Sequence, residues 1–386
     1  MKKGTEGAEI SRAGSRIVWI DIMRGFLMFW VIFGHITEEP DQYIYIYSFH
    51  MPAYFFLTGI TFAFNKTKST PGFIAKKFFE LMVPYFILNI YAAPLREWLE
   101  IVDEVNDQNF GDLILGVLYS NSDSGYKMAS NTLWFIPCLF LATVMFFLIL
   151  KLCRNRALPA AIMVAAVTVA AWLLEFDEGS GGPSHYRGAI FSVMFILSGY
   201  LFSRYLKTVE NVVRSRKFIS SVVAGAMLLE GYVISSDNGY VSIIKNEYKS
   251  LLMFYASALI SVLALTVIMI LITDSDRAVK LCRPLDFIGR KTLPYIAFQV
   301  PIMKLMWYYM PDTFGTRDMP WSRIQTFILF FAMMPLALWV DRLVPRVMPD
   351  SLKKPLRKAL GKARKIIHTP LHQTGGQDAF YRTHQR

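Results

Sequence analysis

Three ionisable side chains lie within one long apolar stretch near the start of the sequence. Residues 17–37 are long enough to cross a bilayer as a helix, yet they include Asp21, Arg24 and His35. An ionisable residue at the centre of a membrane span costs about 2.5–3.5 kcal/mol on insertion scales and commonly marks a functional site. An imidazole can accept a proton near neutral pH, and a guanidinium can bind an anionic group. The stretch therefore has the residues for proton transfer beside an anion site.

The spacing of these residues places them on one helix face. Arg24 and His35 are separated by about three helical turns, or roughly 16 Å along the axis. Asp21 lies three residues before Arg24, close enough for the two side chains to pair. The alternative is that Asp21 and Arg24 extend to the lipid headgroups and that His35 ends the helix in water. The shared face favours the functional interpretation.

Two further residues could contribute to the same site. His50 begins the second apolar stretch with Met51 and Pro52 and should lie at the same end as His35. It could orient His35 or a substrate, or it could be a simple interfacial histidine. Trp134, in the sequence Leu-Trp-Phe, could stack against a substrate, or it could belong to the aromatic belt at the membrane surface.

The composition is typical of a polytopic membrane protein. Of 386 residues, 54% are hydrophobic and only 18% are charged, and the mean hydropathy is +0.36. Such a chain is too apolar for an ordinary soluble domain. The net charge of +12 could indicate nucleic-acid binding, but the basic residues lie in alternate loops, as in membrane proteins. No cysteine or histidine spacing indicates a metal site, so we expect neither a metal nor a nucleic-acid partner.

Hydropathy predicts an all-α fold of about ten transmembrane helices in contact with membrane lipids. Each apolar segment has about 17–23 residues, the length that a hydrocarbon core of about 30 Å requires. The predicted spans are residues 17–37, 46–64, 78–98, 131–150, 157–174, 188–205, 218–235, 251–273, 292–310 and 323–344. Residues 17–344 would form the membrane domain and residues 1–16 a cytoplasmic segment. Residues 345–386 would be a basic cytoplasmic tail along the anionic leaflet.

The charges of the connecting segments predict the orientation. Lysine and arginine concentrate in every second segment, whereas the other five segments contain only Lys127, Arg187, Lys245, Lys249 and Arg317. Basic loops stay in the cytoplasm, so both termini are expected inside, with Arg24 nearer the cytoplasm and His35 nearer the outside. The outer segments are acidic and aromatic, as in EEPDQYIYIY at 38–47. They could handle a sugar-like acceptor, or they could simply follow the charge bias of translocated loops.

Five short motifs follow one another along the chain. Arg24 is followed by ten residues and His35, and SFHMPAYFFLTGITFAF covers 48–64. The later motifs are AKKFFELMVPYF at 75–86, LWFIPCLF at 133–140 and LDFIGRKTLPYI at 285–296. In this order they resemble helices one, two, three, four and nine of the acyltransferase-3 membrane family, in its fucose 4-O-acetylase-like branch. The resemblance covers about residues 17–310.

The chain departs from the family pattern at two positions. Where the third helix of the family tends to have a basic residue, two others and a second basic residue, this chain has Lys77, Phe78, Phe79 and Glu80. Where the ninth helix often continues to a histidine, this chain has Gln299. The resemblance therefore assigns no role to either departing position.

The resemblance implies an O-acyltransferase that moves an acetyl group from acetyl-CoA to a hydroxyl of a cell-envelope glycan or lipid-linked sugar. The enzyme would be a multi-pass protein of a bacterial inner (plasma) membrane. His35 would be the general base or a transient acyl acceptor, Asp21 would hold Arg24, and His50 would assist. The basic residues expected to contact acyl-CoA are Arg16, Arg24, Lys76 and Lys77, and Trp134 would be a stacking platform for the acceptor.

Two other classes of function are compatible with the sequence. A transporter or lipid flippase would also carry charges within its spans, although no internal repeat typical of many transporters is visible. A sensor or scaffold without activity is the third possibility. Release of coenzyme A, as opposed to substrate flux across vesicles, would distinguish the enzyme from the transporter.

Overall fold

The computed structural model describes residues 16–37, 39–62, 69–102, 110–120, 130–174, 183–309 and 321–347. In these ranges the chain is almost entirely helical, and the one pairing of extended backbone is an antiparallel bridge between Ser242 and Glu247. The helices that carry the site lie in one compact unit, Trp19–Arg342, and a second unit comprises Met1–Val18 and Leu343–Arg386. The predicted all-α fold is confirmed for the described part of the chain.

The helices are numbered here in chain order. Asn131–Trp134 and Pro183–His185 form short 3₁₀ turns, and Phe78–Met82 is π-helical. The α-helices are α1 Val18–Ile36, α2 Pro40–Phe62, α3 Thr70–Lys77, α4 Val83–Val102, α5 Phe110–Tyr119, α6 Phe135–Leu152, α7 Ala157–Leu173, α8 Tyr186–Arg204, α9 Leu206–Ser215, α10 Lys217–Asn238, α11 Leu251–Ile272, α12 Asp276–Leu281, α13 Arg283–Gly289, α14 Thr292–Tyr309 and α15 Trp321–Val347.

Every predicted span overlaps one of these helices. By length and composition, the helical segments able to cross a membrane are Val18–Ile36, Asn131–Leu152, Pro183–Arg204, Lys217–Asn238 and Leu251–Ile272. Ala157–Leu173 and Arg323–Trp339 are also apolar but shorter. The membrane-protein class is thus confirmed, while the number of ten crossings and the orientation stay predictions.

Two helices begin earlier than hydropathy predicts, because their first turns are polar. α2 begins at Pro40 rather than at 46, and proline suits the first turn of a helix. α3 begins at Thr70 rather than at 78, where Ser69 caps it by accepting a hydrogen bond from the Gly72 N–H at 3.3 Å. The helical run then continues through the π-helical segment into α4.

α1 is enclosed by other helices along most of its length. Its backbone and that of α13 approach so closely that a Cβ at Gly25 would clash with the Leu285 carbonyl. A Cβ at Gly289 would likewise clash with the carbonyl of Asp21. Only glycine permits such an approach between two helix backbones. The position of Asp21 is therefore fixed by backbone packing.

α2 packs against α8 by a reciprocal contact of glycines. A Cβ at Gly59 would clash with the Ile196 carbonyl, and a Cβ at Gly199 would clash with the Phe56 carbonyl. α8 also packs on α6 and α7, while α11 packs on α10 and α2. α2 is therefore held between α1, α8 and α11, which fixes the direction of its side chains.

Candidate active site

The last turn of α1 lies against the first half of α2. A Cβ at Gly34 would lie 3.2 Å from Cγ2 of Ile46 and 3.3 Å from Cε2 of Tyr47. His35 follows Gly34 and is half-buried, and His50 lies one turn beyond Ile46 and is 5% exposed. The two imidazoles are close enough to interact electrostatically. The fold thus brings together the two histidines that the sequence singled out.

The hydrogen bond of His50 defines its tautomer. Nδ1 lies 2.5 Å from the carbonyl oxygen of Ile46, and a carbonyl can only accept. Nδ1 must therefore carry the proton, which leaves Nε2 of the neutral ring as an acceptor. The ring of Tyr47 contacts the His50 ring edge-on, with centroids 5.1 Å apart. His50 is thereby held in one orientation with one nitrogen able to take a proton.

Asp21 and Arg24 form the predicted pair near the N-terminus of α1. Arg24 Nη1 donates to Oδ1 of Asp21 at 3.4 Å, and the two side chains are 29% and 13% exposed. The Tyr54 hydroxyl of α2 donates to the Arg24 carbonyl at 2.8 Å. The face between Arg24 and His35 is covered, since Met28 and Val31 are 0% and 7% exposed. The two ends of the face are therefore separated by packed side chains.

Lys76 and Lys77 line a polar cavity of about 170 Å³. Its other lining residues are Thr58, Thr61, Phe62, Glu80 and Thr143. Thr61 lies eleven residues after His50 on α2, so this lysine cavity is roughly 16 Å from the histidines along the helix axis. The two ammonium groups of the cavity are suited to an anionic ligand, while its threonine hydroxyls donate to backbone carbonyls of their own helices.

Trp134 lies beside a histidine that sequence reasoning did not single out. Its ring contacts the ring of His185 edge-on at 5.3 Å. His185 is fully buried, and its Nδ1 donates to the Ile244 carbonyl at 3.1 Å. Phe135, the next residue after Trp134, packs on Tyr54 at 5.7 Å. Trp134 is thus joined to α2 through Phe135, and its role as an acceptor platform stays a prediction.

A group of three tyrosines adjoins the histidines and was also missed as a unit. Tyr43 stacks on Tyr240 with centroids 5.0 Å apart, and its hydroxyl donates to the Tyr240 hydroxyl at 3.3 Å. Tyr47 lies 4.2 Å from Tyr43 and 5.5 Å from Tyr240. Burial raises the pKa of Tyr240, so its hydroxyl is neutral at physiological pH. The aromatic run at 43–47 was the visible signal, but Tyr240 comes from a distant loop.

Two residues complete the comparison with the sequence prediction. Arg16 is exposed and belongs to the unit Met1–Val18 and Leu343–Arg386, and its proposed contact with acyl-CoA stays a prediction. Gln299 is 2% exposed. Within the ranges that the structure describes, no group of three or more His, Cys, Asp or Glu residues could hold a metal ion.

Comparison with known proteins gives one family match that covers most of the chain. A family model described as an acyltransferase domain matches residues 17–342. A search of curated proteins gives no match. The matched range contains α1 to α14 and most of α15, and with them both histidines and the lysine cavity.

Proposed function

The chain belongs to the acyltransferase-3 family of membrane O-acyltransferases by its match over residues 17–342, and on this premise we propose its substrates. The donor is acetyl-CoA, and the acceptor is a hydroxyl of a cell-envelope glycan or lipid-linked sugar. The motif at 48–64 supports the fucose 4-O-acetylase-like branch, which has sugar acceptors. The family membership favours this activity over a transporter or lipid flippase.

The observation that carries the mechanism is that His50, held in one tautomer, lies close enough to His35 to interact with it electrostatically. In the proposed reaction the acceptor hydroxyl attacks the thioester carbonyl while His35 takes the hydroxyl proton. Nε2 of His50 accepts a hydrogen bond from the ring N–H of His35, which leaves the other nitrogen of His35 as the base. This is the usual arrangement in which a base is oriented by a third group. The C–S bond then breaks, and the proton passes from His35 to the departing thiolate.

The lysine cavity fits the anionic end of the donor. Lys76 and Lys77 supply the ammonium groups of the lining. Phosphate groups accept strong charge-assisted hydrogen bonds from such cationic donors. Arg24, held by Asp21, would also contact the donor, and Arg16 stays a proposed contact on sequence grounds alone.

The tyrosine group beside His50 supports a sugar acceptor. The ring of Tyr47 contacts the ring of His50, and the rings of Tyr43 and Tyr240 contact that of Tyr47. Aromatic faces and hydrogen-bonding groups together suit a ring with many hydroxyls, and Trp134 would extend this surface. With the ten-span topology of the sequence analysis, this end faces outward from a bacterial inner membrane, and the lysine cavity opens to the cytoplasm. Residues 1–16 and 345–386 would lie on the cytoplasmic side of the domain 17–344.

The test is coenzyme A release by the purified full chain in lipid nanodiscs, given acetyl-CoA and a membrane glycan fraction. We expect release that depends on the acceptor and falls to background in His35→Ala, while thermal unfolding shows that the variant is folded. Full turnover by His35→Ala would refute the mechanism. Substrate flux across vesicles without coenzyme A release would instead support a transporter. Mass spectrometry of the acceptor with and without enzyme would identify the acyl group.

A further inference from the structure

Glu80 places a negative charge inside the lysine cavity. Its Oε2 lies 2.9 Å from Nζ of Lys77, and its Oε1 lies 3.8 Å from Nζ of Lys76. One carboxylate thus contacts both ammonium groups that are proposed to bind the donor.

The local backbone explains why Glu80 reaches both lysines. It follows Lys76 by four residues and Lys77 by three, the spacings at which helix side chains meet. It also lies within the π-helical segment Phe78–Met82, where the Val83 N–H donates to the Phe78 carbonyl. Single π-helical turns inside α-helices occur frequently at functional sites. This segment joins α3 to α4 and brings Glu80 into the lining of the cavity.

The contacts of Glu80 are weak enough to be exchanged for a ligand. The side chains of Lys76, Lys77 and Glu80 are 35%, 21% and 40% exposed. Ion pairs with this degree of exposure stabilise a protein little, because water screens them and the side chains lose entropy. A phosphate group, which carries more charge and more acceptor oxygens, can therefore replace the carboxylate.

We propose that Glu80 is an internal competitor for the phosphate groups of the donor and thereby sets the donor affinity of this enzyme. The proposal rests on the proposed function, because it takes the lysine cavity as the donor site. In the empty enzyme Glu80 neutralises the lysines and keeps them in the cavity. When the donor binds, its phosphates take the place of the carboxylate, which turns to solvent but remains a nearby like charge. The repulsion between Glu80 and the phosphates lowers the affinity for the donor, relative to a chain with a neutral residue at position 80.

The test compares donor binding by wild type, Glu80→Gln, Lys77→Gln and a charge-matched control. Two like charges about 4 Å apart in water repel by about 1 kcal/mol, which corresponds to about a fivefold change in affinity. Glu80→Gln is therefore expected to lower the KM for acetyl-CoA and the Kd for free coenzyme A about fivefold, with the change in KM rather than kcat. Lys77→Gln should raise both constants. The control is Asp276→Asn, which removes an exposed carboxylate at the start of α12. It should change neither the KM for acetyl-CoA nor the Kd for coenzyme A.

The outcomes separate this proposal from the proposed function. If the wild type turns over but Glu80→Gln leaves KM and Kd unchanged or raises them, Glu80 is not a competitor, and this proposal alone is overturned. An equal decrease in Asp276→Asn would overturn it as well, because the effect would then be one of net charge. If the wild type neither binds coenzyme A nor releases it, the proposed function itself fails.

Discussion

Replacement of His50 by asparagine separates the two roles of its ring. Nδ1 orients the ring by donating to Ile46 at 2.5 Å, whereas Nε2 is the nitrogen proposed to support His35. An asparagine amide N–H can occupy the position of Nδ1, but asparagine has no nitrogen that accepts a proton at neutral pH. His50→Asn therefore retains the structural contact and removes the catalytic one.

The two roles of the His50 ring differ in the size of their free-energy contributions. Loss of the hydrogen bond to Ile46 alone would lower the free energy of unfolding by about 0.5–1.5 kcal/mol. Positioned acid–base groups contribute about 10²–10⁴ in rate, which is about 2.7–5.4 kcal/mol in the activation barrier. We expect His50→Asn to lower kcat by about 100-fold or more with little change in Tm. His50→Ala should lower both kcat and Tm.

The assay is thiol detection of released coenzyme A together with thermal unfolding of the same nanodisc samples. The matched control is His185→Asn, because His185 is also buried and also donates from Nδ1 to a backbone carbonyl, yet it lies outside the proposed mechanism. The control should retain kcat within about threefold. If His50→Asn also retains kcat within threefold, His50 is only structural and the proposed histidine pair does not operate.

Three further changes test other parts of the site. Gly25→Ala should lower the free energy of unfolding, measured by chemical denaturation, by about 1–3 kcal/mol, because the new methyl would clash with the Leu285 carbonyl. Gly225 has open space around it, so Gly225→Ala should leave that free energy unchanged or raise it. Asp21→Asn should raise the KM for acetyl-CoA several-fold, because it releases Arg24. It should lower the free energy of unfolding by less than about 1 kcal/mol, because the pair is partly exposed. An unchanged KM would indicate that Arg24 does not contact the donor. Tyr240→Ala should raise the KM for the acceptor about three- to tenfold while Tyr240→Phe does not; an equal rise in the KM for acetyl-CoA would argue against an acceptor surface.

The parts of the site that lie on one helix could be predicted from the sequence. The regular geometry of an α-helix places Asp21 beside Arg24 and puts His35 on the same face, and the structure has the Asp21–Arg24 pair in a continuous α1. Hydropathy likewise predicts that the lysines lie in the segment between the second and third spans, and the structure has them on α3. These features depend only on helix period and on the length of the apolar segments.

The contacts between distant segments could not be predicted in this way. The approach of His35 to His50 depends on the packing of Gly34 against Tyr47, and Tyr240 reaches Tyr43 only because the loop after α10 folds onto α2. Glu80 appeared in the sequence as a departure from a motif. Its contact with both lysines follows from the backbone through Phe78–Met82, which helix propensity does not specify.

The covered face between Arg24 and His35 gives a last prediction about water. Val31 lies on this face between the two ends of the site and is 7% exposed, so packed side chains exclude water from the face between Arg24 and His35. Exclusion of water from an active site limits hydrolysis of reactive groups. Val31→Ala removes two methyl groups from this barrier and should increase acceptor-independent release of coenzyme A relative to acceptor-dependent release. Val164→Ala makes the same change at a residue of α7 that is 1% exposed, and it should lower stability similarly without altering that ratio. If both variants change the ratio equally, the effect is one of loosened packing, and the covered face has no specific role in protecting the thioester.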